Sequence, residues 1–147
     1  MRERLFCGVD PGASGAIAVI DGDSQICGII KNTETPADLS AFVLSFQATH
    51  RLWAMIEQVS AMPKQGVSST FKFGTSYGLL QGLLIAHGVC WQNVTPRIWQ
   101  SEMRCLTKGN KNVTKAAAQQ LWPEEKITHA TADALLLAEL CRRRALK

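Results

Sequence analysis

The sequence predicts an α/β fold around a mixed sheet of five strands. Three observations carry that expectation. Short apolar runs separated by turn residues open the chain and read as an antiparallel meander of three strands. A helix and a fourth apolar run follow, and a right-handed crossover sets that fourth strand parallel to the first. A glycine-striped helical segment then leads to a fifth strand, and helices complete the chain. With 147 residues the chain fits a single domain, 1–147, long enough to bury a core without staples. No run approaches the roughly 18 apolar residues of a membrane helix, and Met1-Arg2-Glu3-Arg4 leads into a strand, not a signal peptide. The expectation is a soluble cytoplasmic protein with no membrane partner. The 5 cysteines are odd in number and form no C-x-x-C pair, so small buried hydrophobes are expected ahead of disulfides or a zinc site.

The first strand, Leu5 to Val9, runs into Asp10-Pro11-Gly12, and the second spans Ala16 to Ile20. Asp10 therefore stands where the first strand ends, with glycines beyond it that let other backbone approach. Asp-Pro-Gly is ordinary turn chemistry, and a carboxylate so placed can equally hold a cation or touch a phosphate. A third strand, Gln25 to Lys31, closes the meander. Thr35 and Pro36 supply an N-cap and a first helical residue, and Leu39, Phe42, Val43 and Phe46 keep helical spacing towards His50. The fourth strand, Leu52 to Glu57, also ends on an acid. Parallel neighbours bring their carboxyl ends to one sheet edge, where open α/β sheets place ligands, so Asp10 and Glu57 are expected to face each other there.

Residues 62–69 form a polar loop containing Lys64, and residues 70–87 a helix carrying Phe71, Lys72 and Phe73. In it Gly74, Gly78 and Gly82 fall at four-residue steps. Each glycine costs about 1 kcal/mol of helix propensity relative to alanine, so the stripe asks for a close packing partner, either the chain's own sheet or a second copy. Gly88 to Val94 is the fifth strand, and Thr95-Pro96 starts a short helix through Trp99. Charge is uneven: residues 1–93 carry 6 basic and 7 acidic side chains, residues 94–147 carry 10 and 5. Arg97, Arg104, Lys108, Lys111 and Lys115 cluster around a glycine-containing loop, which suits phosphate contacts or merely a solvated surface. Residues 113–122 form a helix that Pro123 stops. The last helix starts near Thr128 and runs to about Arg144, with His129 and Asp133 four apart on one side. Such a pair can share one cation, and a metal would resolve the cost of an acid at the start of an apolar helix. Arg142-Arg143-Arg144 suit a helix C-terminus or an anionic partner.

Taken together, Gly8-Val9-Asp10-Pro11-Gly12, Glu57-Gln58-Val59, residues 72–78, Thr95-Pro96-Arg97-Ile98-Trp99 and Ala132-Asp133-Ala134-Leu135-Leu136-Leu137-Ala138 resemble the RuvC-like Holliday junction resolvases of the RNase H-like nuclease superfamily, most closely the small phage-encoded type. The resemblance implies a five-stranded mixed sheet, three strands antiparallel and two parallel, with helices on both faces. It implies an active site of Asp10, Glu57, His129 and Asp133 holding Mg²⁺ or Mn²⁺, two ions per site. Two such ions about 3.5 to 4 Å apart can clamp the attacking and leaving oxygens of a phosphodiester. Lys111 matches a family lysine near the scissile phosphate, whereas Gln100 stands where phage relatives often carry a second one. Ser60 replaces an aromatic residue that unstacks the junction in some relatives, a part that Phe71 or Phe73 could take. Lys64, Lys72 and the cationic residues of 97–115 are the expected DNA contacts.

The function so implied is a structure-selective endonuclease cutting four-way junctions by paired symmetric hydrolysis, acting as a homodimer across Gly74, Gly78 and Gly82, in the host cytoplasm if phage-encoded and with no nucleotide cofactor. A related nuclease acting on forks, flaps or packaging intermediates, and a non-catalytic junction-binding protein, remain open alternatives. A kinase-like ATP-binding reading needs two phosphate-loop domains, and the chain has one such loop.

Overall fold

A computed structural model describes all residues, 1–147. The strands are β1 (Arg4–Val9), β2 (Ala16–Ile20), β3 (Ile26–Lys31), β4 (Arg51–Glu57) and β5 (Cys90–Val94); the helices are α1 (Pro36–Gln47), α2 (Val67–Ala86), α3 (Pro96–Glu102), α4 (Asn112–Leu121) and α5 (His129–Ala145). The sheet order is β3-β2-β1-β4-β5. The β1–β2 and β2–β3 pairs are antiparallel, and the β1–β4 and β4–β5 pairs parallel, as the crossover rule requires. The expected α/β fold with its mixed five-stranded sheet is the fold observed.

Alternation along the strands sends side chains to two cores. Phe6, Ala18, Ile20 and Met55 meet the larger cluster with Trp99, Trp122 and the apolar face of α5. Leu5, Cys7, Val19, Leu52 and Ile56 meet Leu39 and Val43 of α1 and Leu80 and Leu84 of α2 on the other face. Helices therefore cover both faces. Gly8 is the point where α5 meets β1: a Cβ there would lie 1.9 Å from the Ala134 carbonyl oxygen and 2.4 Å from the Ala138 nitrogen. Only a residue without a side chain lets the helix backbone lie this close to the strand.

Several boundaries differ from expectation. α2 begins three residues early, at Val67, because Gly66 in extended conformation serves as its N-cap. α3 continues past Trp99 to Glu102, and α1 ends at Gln47, whose side chain turns back to accept from the Leu52 amide. Cys7, Cys105 and Cys141 are buried as expected for small hydrophobes, whereas Cys27 and Cys90 are exposed; all five are free thiols. The terminal arginines are largely consumed within the chain. Arg142 and Arg143 both reach the buried Glu139, and Arg144 pairs with Glu102. Two glutamates thus offset most of the charge of the three arginines, whereas the cations of the 97–115 segment, apart from Glu102, have no acid among them.

Candidate metal centre and nuclease site

The site forms at the carboxyl edge of β1 and β4. Val9 pairs in register with Ile56, so the next residue on each strand, Asp10 and Glu57, emerges at the same edge. The β1–β2 loop is then fastened: the Asp10 amide donates to the Ala16 carbonyl at 3.0 Å, and Asn32 Nδ2 donates to the carbonyls of Asp10 and Gly12 at 2.6 and 2.8 Å. Gly15 is required here, since a Cβ would stand 2.4 Å from the Asp10 carbonyl oxygen. α5 crosses the same edge with its first residues, presenting His129 and, one turn on, Asp133.

Asp10, Glu57, His129 and Asp133 all line one cavity of about 650 Å³, together with Lys111, Gln100, Thr107 and Thr114. Burial pushes the Asp10 carboxyl up to about 6, the charge of Asp133 adds to this, and the Gly12 amide and Lys111 hold it back. Burial and the charge of Asp10 push Glu57 up to about 7, against the hydrogen bond from Trp99. Asp133 is also raised, by burial, while the Thr114 hydroxyl, Lys111 and His129 oppose the shift. Burial outweighs these neighbours, so the negative charge at the helix start is only partly met within the protein. The carboxylates feel one another across the cavity, yet no three His, Cys, Asp or Glu side chains close into a metal cluster. Like charges in a confined space repel, and an arrangement of this kind gains from a divalent cation between them. The donor set, three carboxylates and an imidazole with an open cavity in front, fits a hard cation such as Mg²⁺ or Mn²⁺.

The remaining sequence-derived candidates spread out. Lys111 is the residue before α4 and lines the cavity; Lys108 and Gly109 form its rim loop in left-handed conformation, φ +47° and +87°. Arg104, also left-handed at φ +56°, lies in a separate crevice with Arg143, Arg144 and Lys147. Arg97, Lys115 and Lys64 are outside the cavity lining, as are Phe71 and Lys72 on the exposed side of α2. Phe71 is 76 % exposed, whereas Phe73 is half-buried with its ring near Gly12 of the β1–β2 loop. Gly74, Gly78 and Gly82 face outward, and a Cβ on any of them would meet nothing within 4 Å. The chain's own sheet is therefore not the partner of that stripe.

Sequence reasoning missed Ser14, Lys31 and Thr114 as cavity residues. Lys31 had a legible signal: β3 runs parallel in direction to β1, so its last residue reaches the same edge as Asp10, and Ala16 pairs with it in register. Thr114 had none, because its place depends on how α4 packs against α5.

No known family model and no curated protein sequence matches the chain. Among solved structures it is similar to Thermus thermophilus RuvC in complex with a Holliday junction substrate, with a TM-score of 0.65 and 16 % identity over 92 % of this chain and 90 % of that one. A second structure of Thermus thermophilus RuvC gives a TM-score of 0.60 at 16 % identity, over 91 % and 90 %. At that identity the likeness lies in the path of the backbone, and the chain has the RuvC-like, RNase H-type fold.

Proposed function

We propose that the chain is a divalent-metal-dependent endonuclease that cuts four-way DNA junctions by paired, symmetric phosphodiester hydrolysis. The observation that supports this most is the convergence of Asp10, Glu57, His129 and Asp133, from three distant segments, on one cavity bordered by Lys111 in a RuvC-like fold. Asp10, Glu57, Asp133 and His129 would hold Mg²⁺ or Mn²⁺, two ions per site, which when bound polarise the phosphate and lower the pKa of the attacking water. Lys111 stands beside the carboxylates and offsets negative charge that grows on the phosphate in the transition state. Lys108, Arg97 and Lys115 extend cationic surface beyond the cavity for duplex arms, through phosphate contacts that carry no base information. Phe71, exposed on α2, is the aromatic free to stack on an opened junction centre, since Phe73 is partly engaged by the β1–β2 loop.

Two symmetric cuts call for a twofold dimer. The outward stripe of Gly74, Gly78 and Gly82, flanked by exposed Phe71 and Ile85, is the surface we assign to it. The test is comparative cleavage of four-way, forked and linear duplexes by wild-type and Asp10→Asn chains with Mg²⁺. The expected result is cleavage of the four-way substrate by the wild type alone, with junction binding retained by the variant. Full cleavage by Asp10→Asn would overturn the metal role, and preferred cutting of forks would redirect the substrate.

A further inference from the structure

Glu57 is held by a residue that the metal-dependent reading does not use. Trp99, on α3, is 0 % exposed, and its indole Nε1 donates to Glu57 Oε2 at 2.6 Å. Its ring shares the main core cluster with Met55, Val94 and Met103, so it cannot turn without opening a void. Thr95 caps α3 directly after β5, and β5 pairs with β4 up to Val94 opposite Glu57, so strand pairing itself delivers the indole to the carboxylate.

We infer that Trp99 is the positioning residue of Glu57: it fixes the carboxylate's rotamer by claiming Oε2 and leaves Oε1 free for the cavity. The choice of an indole has a chemical reason. A lysine or arginine in its place would orient the carboxylate but also neutralise it, competing with a divalent cation for the same charge. Indole donates without charge and does not titrate, so it restrains Glu57 while preserving its pull on a cation. Asp10 is restrained in a similar way, by the uncharged Gly12 amide, which donates to its Oδ1 at 3.2 Å. Losing an outer partner of this kind typically costs a metal site about 10- to 100-fold in affinity.

The purpose assigned to Trp99 rests on the metal-dependent reading above; the contact does not, and two measurements separate them. The chain's 4 tryptophans give as many indole N–H resonances in a ¹H–¹⁵N spectrum. One of them, identified by its loss in Trp99→Phe, is expected downfield, slow to exchange and displaced in Glu57→Gln. If Trp99→Phe does not fold, Glu57→Gln alone decides, and a spectrum with no displaced indole overturns the contact.

The second measurement is Mn²⁺ affinity of the DNA-free chain by titration calorimetry. Trp99→Phe is expected to weaken it about 10- to 100-fold, to add no loss in a Glu57→Ala background, and to differ from Ile20→Ala, which hollows the same core cluster away from the site and leaves the affinity unchanged. Wild-type affinity in folded Trp99→Phe, or an additive loss on Glu57→Ala, overturns the positioning role. A wild-type chain that takes up no Mn²⁺ overturns the metal-dependent reading instead, with the indole signal still deciding the contact.

Discussion

The two long helices use the same sheet in opposite ways. α5 has 17 residues and buries ten of them; α2 has 20 and buries two, Leu80 and Leu84. α5 lies flat across β1, β2 and β4, seated at Gly8, and its first turns carry His129 and Asp133 to the acid edge. α2 touches the opposite face along one narrow line and turns glycines, Val67, Phe71 and Ile85 outward. The lesson is that burial allocates roles. A helix spent on the core can hold a side chain to a fixed position, whereas a helix left half-exposed has surface that the fold itself does not use.

The sharpest way to break this contrast is to add one methyl group to each helix contact. Gly8→Ala sets a Cβ against the backbone of Ala134 and Ala138, where nothing flexible can give way. The expected loss is about 3 kcal/mol or more, at the upper end of overpacking costs, read as a large drop in the urea midpoint. A chain that accepts this alanine with its midpoint unchanged would show that α5 does not rest on β1 as described.

An intermediate effect belongs to the carboxylates that α5 and the strands bring together. Asp10 and Glu57 titrate at about 6 and about 7 when folded, against ordinary values of 3.8 and 4.5. Between those limits the folded chain binds more protons than the unfolded one, so these groups subtract stability as pH rises from about 4 to about 7. In EDTA, Asp10→Asn is expected to stabilise the chain by about 1–3 kcal/mol at pH 8 and by nothing at pH 4, measured by thermal unfolding at both pH values. Equal gains at the two pH values would place the cause elsewhere. Added Mg²⁺ is likewise expected to raise Tm of the wild type at pH 8 and hardly at pH 5, since a cation must compete with protons for the same oxygens.

The smallest effect has the opposite sign from the first. Gly78→Ala meets open space, so it is expected to stabilise an isolated subunit by up to about 1 kcal/mol through helix propensity. At the same time it should weaken self-association, read by sedimentation, because backbones can no longer approach along the stripe. A gain in stability with unchanged association would remove this stripe from the proposed dimer surface.

Much of the architecture could be read directly from residue order. Alternating apolar runs with turn chemistry marked the meander, the crossover rule made β4 parallel to β1, and two strands ending on acids predicted where Asp10 and Glu57 would stand. These are local or topological signals, carried by neighbours in the chain and by the handedness of L-residues. What tertiary packing alone decided is finer and concerns contacts between elements far apart in sequence. The early start of α2, the outward aim of its glycines, the ion pairs of Arg142, Arg143 and Arg144 with Glu139 and Glu102, the place of Thr114 in the cavity with Asp133 and the Trp99 indole on Glu57 all depend on how helices settle on the sheet. No spacing rule encodes that settling, because it depends on the shapes of both surfaces at once.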